Sequence, residues 1–184
     1  MDRDFLGGYN NKDNTLMVNK NRWNGLSDEK RAQTLLHEFI HSVTVYALAG
    51  YNANAAGMSD ALFDAAKLAA DVYDRITKGE AVDVRPFTGQ YSIENEKELL
   101  AEMANSETKE KLKNRRMWVV RTPRGTRVSG SVMDGAEQTT AWNLLNEALD
   151  GMLKNFDKGL FDRFRGRVSD FFFELDREGG YTRD

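Results

Sequence analysis

Apolar residues recur at helical spacing through most of the chain, and only in a few short runs do they bunch as strands do. The first long helical run follows Ser27, a favoured N-cap residue, with Asp28 and Glu29 placed where a helix N-terminus attracts acids. Leu35, Leu36, Phe39, Ile40, Val43 and Val45 then mark a buried helix from about Asp28 to about Ala49, with Gly50 as its stop. A second helix is predicted from about Ser59 to Thr77, with Leu62, Ala65, Ala66, Ala69, Val72, Tyr73 and Ile76 inward and Asp60, Asp64, Asp71 and Asp74 on a solvated face. A third carries Leu99, Leu100 and Met103 and continues to a basic end at residues 105–116. From about Ala136 to Asn155 the apolar face is Trp142, Leu145, Leu149, Met152 and Leu153. From about Lys158 to Leu175 it is Leu160, Phe161, Phe164, Val168, Phe171 and Phe172, and these aromatics read as core.

Strand signals are shorter. They fall at Leu16-Met17-Val18, at Val82-Asp83-Val84, and at Met117–Val120 and Arg127–Ser129 around a turn at Thr122–Thr126. Gly7-Gly8 reads as a turn, residues 19–25 and 51–57 as loops, and Gly179 to Asp184 as a loose tail. The pattern predicts an α+β fold, mainly helical with a small sheet. A chain of 184 residues suits one domain, with a core over residues 1–110 and a helical C-terminal part over 136–176.

Composition narrows the classes. With 40% hydrophobic and 30% charged residues the chain is globular. A net charge of -3 gives little attraction for nucleic acid, and the Arg121, Arg124 and Arg127 hairpin lacks the interleaved aromatics of a nucleic-acid surface, so neither nucleic acid nor membrane is an expected partner. No apolar run reaches membrane-spanning length, and Met1-Asp2-Arg3-Asp4 does not open a secretory signal, which points to the cytoplasm. The absence of cysteine excludes disulfides, a thiolate metal site and a cysteine nucleophile.

The chemistry concentrates in His37-Glu38-Phe39-Ile40-His41, an H-E-x-x-H that holds both histidines of the chain. On a helix, positions i and i+4 share a face, so His37 and His41 can offer two imidazole nitrogens to one metal ion. Glu38 then projects beside the metal, where a carboxylate can act as general base toward a metal-activated water. A catalytic zinc keeps three protein ligands and an open position. With no third histidine and no cysteine, the third ligand must be a carboxylate. Glu98 and Glu102 lie four apart beside Leu99, Leu100 and Met103, so one can reach the metal while the other orients a ligand histidine. If Ser92 caps this helix, Glu98 is free to reach the metal. If Asn95 is the cap, Glu98 falls at the capping-box position and Glu102 becomes the better ligand. Glu98 is the favoured ligand, with Glu102 behind a histidine.

His37-Glu38-Phe39-Ile40-His41, followed downstream by Glu98-Leu99-Leu100-Ala101-Glu102, resembles the gluzincin branch of zinc metallopeptidases. More closely, the segments around the two motifs, residues 34–48 and 91–107, resemble the metallopeptidase domains of phage and mobile-element large polyvalent proteins. The resemblance covers roughly residues 1–110. It implies one Zn2+ ion held by His37, His41 and Glu98, with Glu38 as general base and Glu102 behind a ligand. It implies hydrolysis of a protein or peptide substrate, in a chain that is part of a larger polyprotein and enters a host cell with phage or plasmid DNA. It also gives Tyr91 and Tyr46 as candidate oxyanion stabilisers, and Leu16, Met17 and Val18 as a candidate edge strand to which substrate adds. Two other functions fit the same residues: a catalytically silent zincin-like binding or scaffold module, and a helical interaction domain with an accidental H-E-x-x-H.

Overall fold

The computed structural model describes residues 6–10, 15–53, 58–77, 95–129 and 132–155. The predicted strand at 82–84, Tyr91, the helix predicted over 158–175 and the tail from Gly179 lie outside the described residues. The fold is α+β, built on a bed of helices with two small sheets.

The first sheet is a hairpin of β1 (Gly7–Asn10) and β2 (Thr15–Val18), paired antiparallel with Gly8 opposite Met17 and Tyr9 opposite Leu16. Gly7 and Gly8 therefore lie in a strand and not in the expected turn. A single helical turn, α1 (Lys20–Trp23), occupies part of the predicted loop and buries Trp23. Next comes α2 (Asp28–Asn52), which Ser27 caps as expected by accepting from the Lys30 amide at 3.3 Å. Gly50 does not stop it. A helical glycine costs about 1 kcal/mol against alanine, and the final turn is held by tertiary contacts that offset this: the Tyr51 ring meets Phe63 edge-on at 5.0 Å, and Asn52 donates to Glu96 at 3.0 Å.

The second long helix is α3 (Asp60–Thr77), which buries Ala65, Ala66, Leu68, Ala69, Val72 and Ile76. Where one helix was expected through residues 95–116, there are two. α4 (Glu96–Ala101) tightens into a 3-10 turn at Glu102–Ala104, and α5 (Ser106–Asn114) starts afresh from Asn105. The second sheet has the order β4–β3–β5, from β3 (Arg116–Thr122), β4 (Gly125–Ser129) and β5 (Glu137–Thr140). The β3–β4 hairpin matches the predicted strand, turn and strand, with Gly125 at φ 122°, a conformation that suits glycine. β5 takes residues expected to open the helix predicted from about Ala136. Thr139 and Thr140 favour the strand, and the Thr140 hydroxyl then caps α6 (Ala141–Lys154) by accepting from Asn143. On the hairpin, Arg121 lies between Glu137 and Glu147.

One core joins these elements. α3 packs broadly on α6, and α2 lies against α3, α4 and β1. Leu48, Val72, Ile76, Leu99, Leu100, Leu112, Val119, Leu144, Leu145 and Met152 are fully buried. Leu36 and Leu153, both expected inside, are exposed, which narrows the buried stripes of α2 and α6. Among the described residues, no helix is long and apolar enough to cross a membrane.

Candidate metal centre and its carboxylates

The middle of α2 carries His37, Glu38 and His41. The i,i+4 spacing brings the two imidazoles edge to face with centroids 4.7 Å apart, and their Nε2 atoms lie 3.1 Å apart. Across from them α4 presents Glu98, whose Oε2 is 3.4 Å from His41 Nε2 and 3.8 Å from His37 Nε2. Metal bonds of about 2.0–2.1 Å in a tetrahedral centre place ligand atoms roughly 3.3–3.4 Å apart. The observed triangle is of that size, and two imidazoles with a carboxylate make a donor set that suits zinc. The three side chains form a group whose donor atoms all lie within 4.8 Å of one another.

Of the two caps considered, Ser92 lies outside the described residues and Asn95 is the one observed. Asn95 is the N-cap, and its Oδ1 accepts from the Lys97 and Glu98 amides. Capping occupies the Glu98 backbone and leaves its carboxylate facing the histidines. Glu102 stands behind His37, with Oε1 3.4 Å from Nδ1. The His37 ring also hydrogen-bonds to the backbone of Ala101. The Glu102 carboxylate at Nδ1 favours the tautomer protonated there, which turns the Nε2 lone pair toward His41 and Glu98.

The electrostatics suit a neutral His37 imidazole beside an ionised Glu98 carboxylate. Burial, helped by the nearby His41, pushes the His37 pKa down to about 4 against the pull of Glu98 and the Ala101 carbonyl. The hydrogen bond from His41 lowers the Glu98 pKa despite its burial. Burial raises the Glu38 pKa, and the Glu98 carboxylate adds to this against His41 and the Tyr9 amide. Burial likewise raises that of Glu102, opposed by a hydrogen bond from Asn105.

Glu38 is buried on the side of α2 that meets β1, and its carboxylate accepts from the Tyr9 backbone amide. Gly7 permits this approach: a Cβ there would lie 2.9 Å from Thr34 Cγ2 and 3.5 Å from Glu38 Cγ. Because the Tyr9 amide points at Glu38, it points away from β2, and antiparallel alternation turns the polar groups of Gly7 the same way. The predicted edge strand, Leu16, Met17 and Val18, is β2, whereas β1 is the strand that packs along α2 beside Glu38.

Tyr46 does not join the site. Nine residues after His37, it projects from the opposite side of α2, roughly 180° around the axis, and it is exposed. Tyr91 lies outside the described residues. Sequence reasoning missed Gly7, Tyr9, Asn105 and Thr108. The glycine pair that opens β1 was one signal, since strand glycines mark close backbone approach. The pair Asn105-Ser106, both capping residue types, was another. Comparison of the chain with protein-family models, with curated proteins and with solved structures finds no match.

Proposed function

We propose that this chain is a zinc-dependent metalloendopeptidase of the gluzincin type. The observation that carries this reading is the convergence of His37 Nε2, His41 Nε2 and Glu98 Oε2 beside the buried carboxylate of Glu38. His37, His41 and Glu98 would hold the ion, and Glu102 would orient His37. Zinc, when bound, supplies Lewis acidity that acidifies water and polarises a peptide carbonyl. Glu38 accepts a proton from the attacking water and returns it to the amine that leaves as the C–N bond breaks. Its upward-shifted pKa suits both halves of that transfer, since a base must also give the proton back. The Tyr9 amide fixes the direction from which Glu38 acts.

The substrate is a peptide or protein. By its resemblance in sequence to polyvalent-protein domains, the chain acts in the cytoplasm of a cell entered with mobile DNA, as part of a larger polyprotein. The test combines metal analysis with hydrolysis of an unfolded protein substrate. The wild type should take up one zinc per chain and cleave, while Glu38→Gln keeps the zinc and loses cleavage by at least a hundredfold, in line with the loss of a general base. A wild type that takes up no zinc, or a zinc-loaded Gln variant that still turns over, would end this reading.

A further inference from the structure

The helix that delivers Glu98 stops early, and the break has a local consequence. After the turn at Glu102–Ala104, Asn105 leaves helical geometry at φ -85°, ψ 127°, and the first turn of α5 comes back beside Glu102. The Glu102 carboxylate there accepts hydrogen bonds from the side chains of Asn105 and Thr108. Asn105 can do so in one orientation only. Its Oδ1 accepts from the Glu107 amide at 2.9 Å, which leaves its NH2 end for Glu102. Thr108 is only 2% exposed, and no buried side-chain polar atom among the described residues lacks a partner. The line of contacts then continues from Glu102 Oε1 to His37 Nδ1 at 3.4 Å.

We propose that Asn105 and Thr108 are positioning residues that act through Glu102 on His37. They hold the carboxylate so that it keeps the imidazole protonated at Nδ1, with Nε2 turned toward His41 and Glu98. Without those two donors the carboxylate can rotate, and its rotation releases the ring. The broken helix is then a device of the site, because a continuous helix would carry Thr108, six residues on, about 9 Å along the axis and away from Glu102. The effect on zinc rests on the reading of His37, His41 and Glu98 as its ligands. The effect on the ring proton does not.

The test uses the full chain, whose two histidines give a simple imidazole spectrum. Asn105→Asp keeps the capping oxygen but puts a carboxylate where Glu102 had a donor. Thr108→Val removes the hydroxyl at nearly constant shape, and Thr108→Ser restores it. In the metal-free protein, nitrogen-15 spectra should show His37 protonated at Nδ1 in the wild type and in Thr108→Ser. A mixture of tautomers is expected in Asn105→Asp and Thr108→Val. Zinc affinity, read by competition with a chromophoric chelator, should fall about tenfold in those two variants and stay within twofold of wild type in Thr108→Ser, as expected for partners behind a ligand. An unchanged tautomer and affinity in both variants would overturn the proposal, as would an equal loss in Thr108→Ser. A wild type that binds no zinc would overturn the peptidase reading instead, and the tautomer would then decide the positioning role by itself.

Discussion

The backbone amide of Tyr9 donates a hydrogen bond to the carboxylate of Glu38. One strand of the N-terminal hairpin is thereby fastened to the middle of α2. The contact aims the carboxylate, and it opposes the burial that would otherwise neutralise it further. Its closeness depends on Gly7, two residues earlier on the same strand.

A methyl group at Gly7 should therefore disturb Glu38 without touching a ligand. The new Cβ would sit 2.9 Å from Thr34 Cγ2, so β1 must move away from α2 and carry the Tyr9 amide with it. If the proposed peptidase reading holds, Gly7→Ala should bind zinc like the wild type and lose about tenfold in kcat, as a misdirected acid–base group would. Adding Thr34→Ser removes the opposing methyl, keeps the hydroxyl that bonds to the Lys30 carbonyl at 2.9 Å, and should recover most of the rate. Kinetics on the single and double variants at full zinc occupancy decide this. No recovery in the double variant would mean that the strand is held some other way.

The parts of this site legible in the sequence were those set by spacing along one helix. His37, Glu38 and His41 needed only the 3.6-residue period, and Ser27 needed only its place before Asp28 and Glu29. Glu98 was harder. The sequence showed that Asn95 could cap, but a cap takes up backbone amides, and whether it also takes the Glu98 side chain is a matter of tertiary packing. The contacts of Tyr9 and Thr108 were not legible. They join elements far apart in the chain, or follow from a helix break that apolar spacing does not reveal. Gly50 failed as a stop for the same reason: contacts of Tyr51 and Asn52 with α3 and α4 outweigh a propensity of about 1 kcal/mol.

Glu98 and Glu102 should differ in kind when removed. Glu98→Ala deletes one of three converging donor atoms and should weaken zinc binding by well over a hundredfold. Glu102→Ala leaves the triangle intact and should cost roughly 10–100-fold, the range for a partner behind a ligand histidine. Chelator competition on the two variants gives the order directly. A larger loss at Glu102 would exchange the roles assigned to the two carboxylates.

The metal-free chain should show an acid sensitivity at His37. In the metal-free chain burial holds its pKa at about 4, below the ordinary 6.5. Between those values the unfolded chain binds a proton that the folded chain refuses. Stability is therefore complete above pH 6.5 and drains away as pH falls toward 4. The full effect is on the order of 3 kcal/mol, for a side chain that is 23% exposed. The raised carboxyls of Glu38 and Glu102 titrate in the opposite sense, so the useful quantity is a difference between proteins. Chelated wild type should lose about 1–3 kcal/mol relative to chelated His37→Asn over that window, measured by urea unfolding at stepped pH. Parallel pH profiles for the two proteins would place His37 in a more solvated setting than its packing implies.

The seam between α3 and α6 supplies a test of the fold independent of the site. Gly151 lies inside α6, where replacing glycine by alanine ordinarily stabilises a helix by about 1 kcal/mol. Here an added Cβ would fall 2.8 Å from the Cβ of Ala65 on α3. Methyl groups in good contact stand about 3.5–4.0 Å apart, so the helices would have to part, although Ala66, Ala69, Leu144, Leu145 and Ala148 beside them are already fully buried. Overpacking of that kind costs about 1–3 kcal/mol, which meets or exceeds the helix gain. Gly151→Ala should therefore destabilise by about 1 kcal/mol. Combining it with Ala65→Gly moves the notch to the other helix, and should restore the packing while returning one helical glycine, leaving stability near that of the wild type. Urea unfolding of the three proteins measures both differences, and a Gly151→Ala protein more stable than wild type would show that the two helices do not meet at this separation.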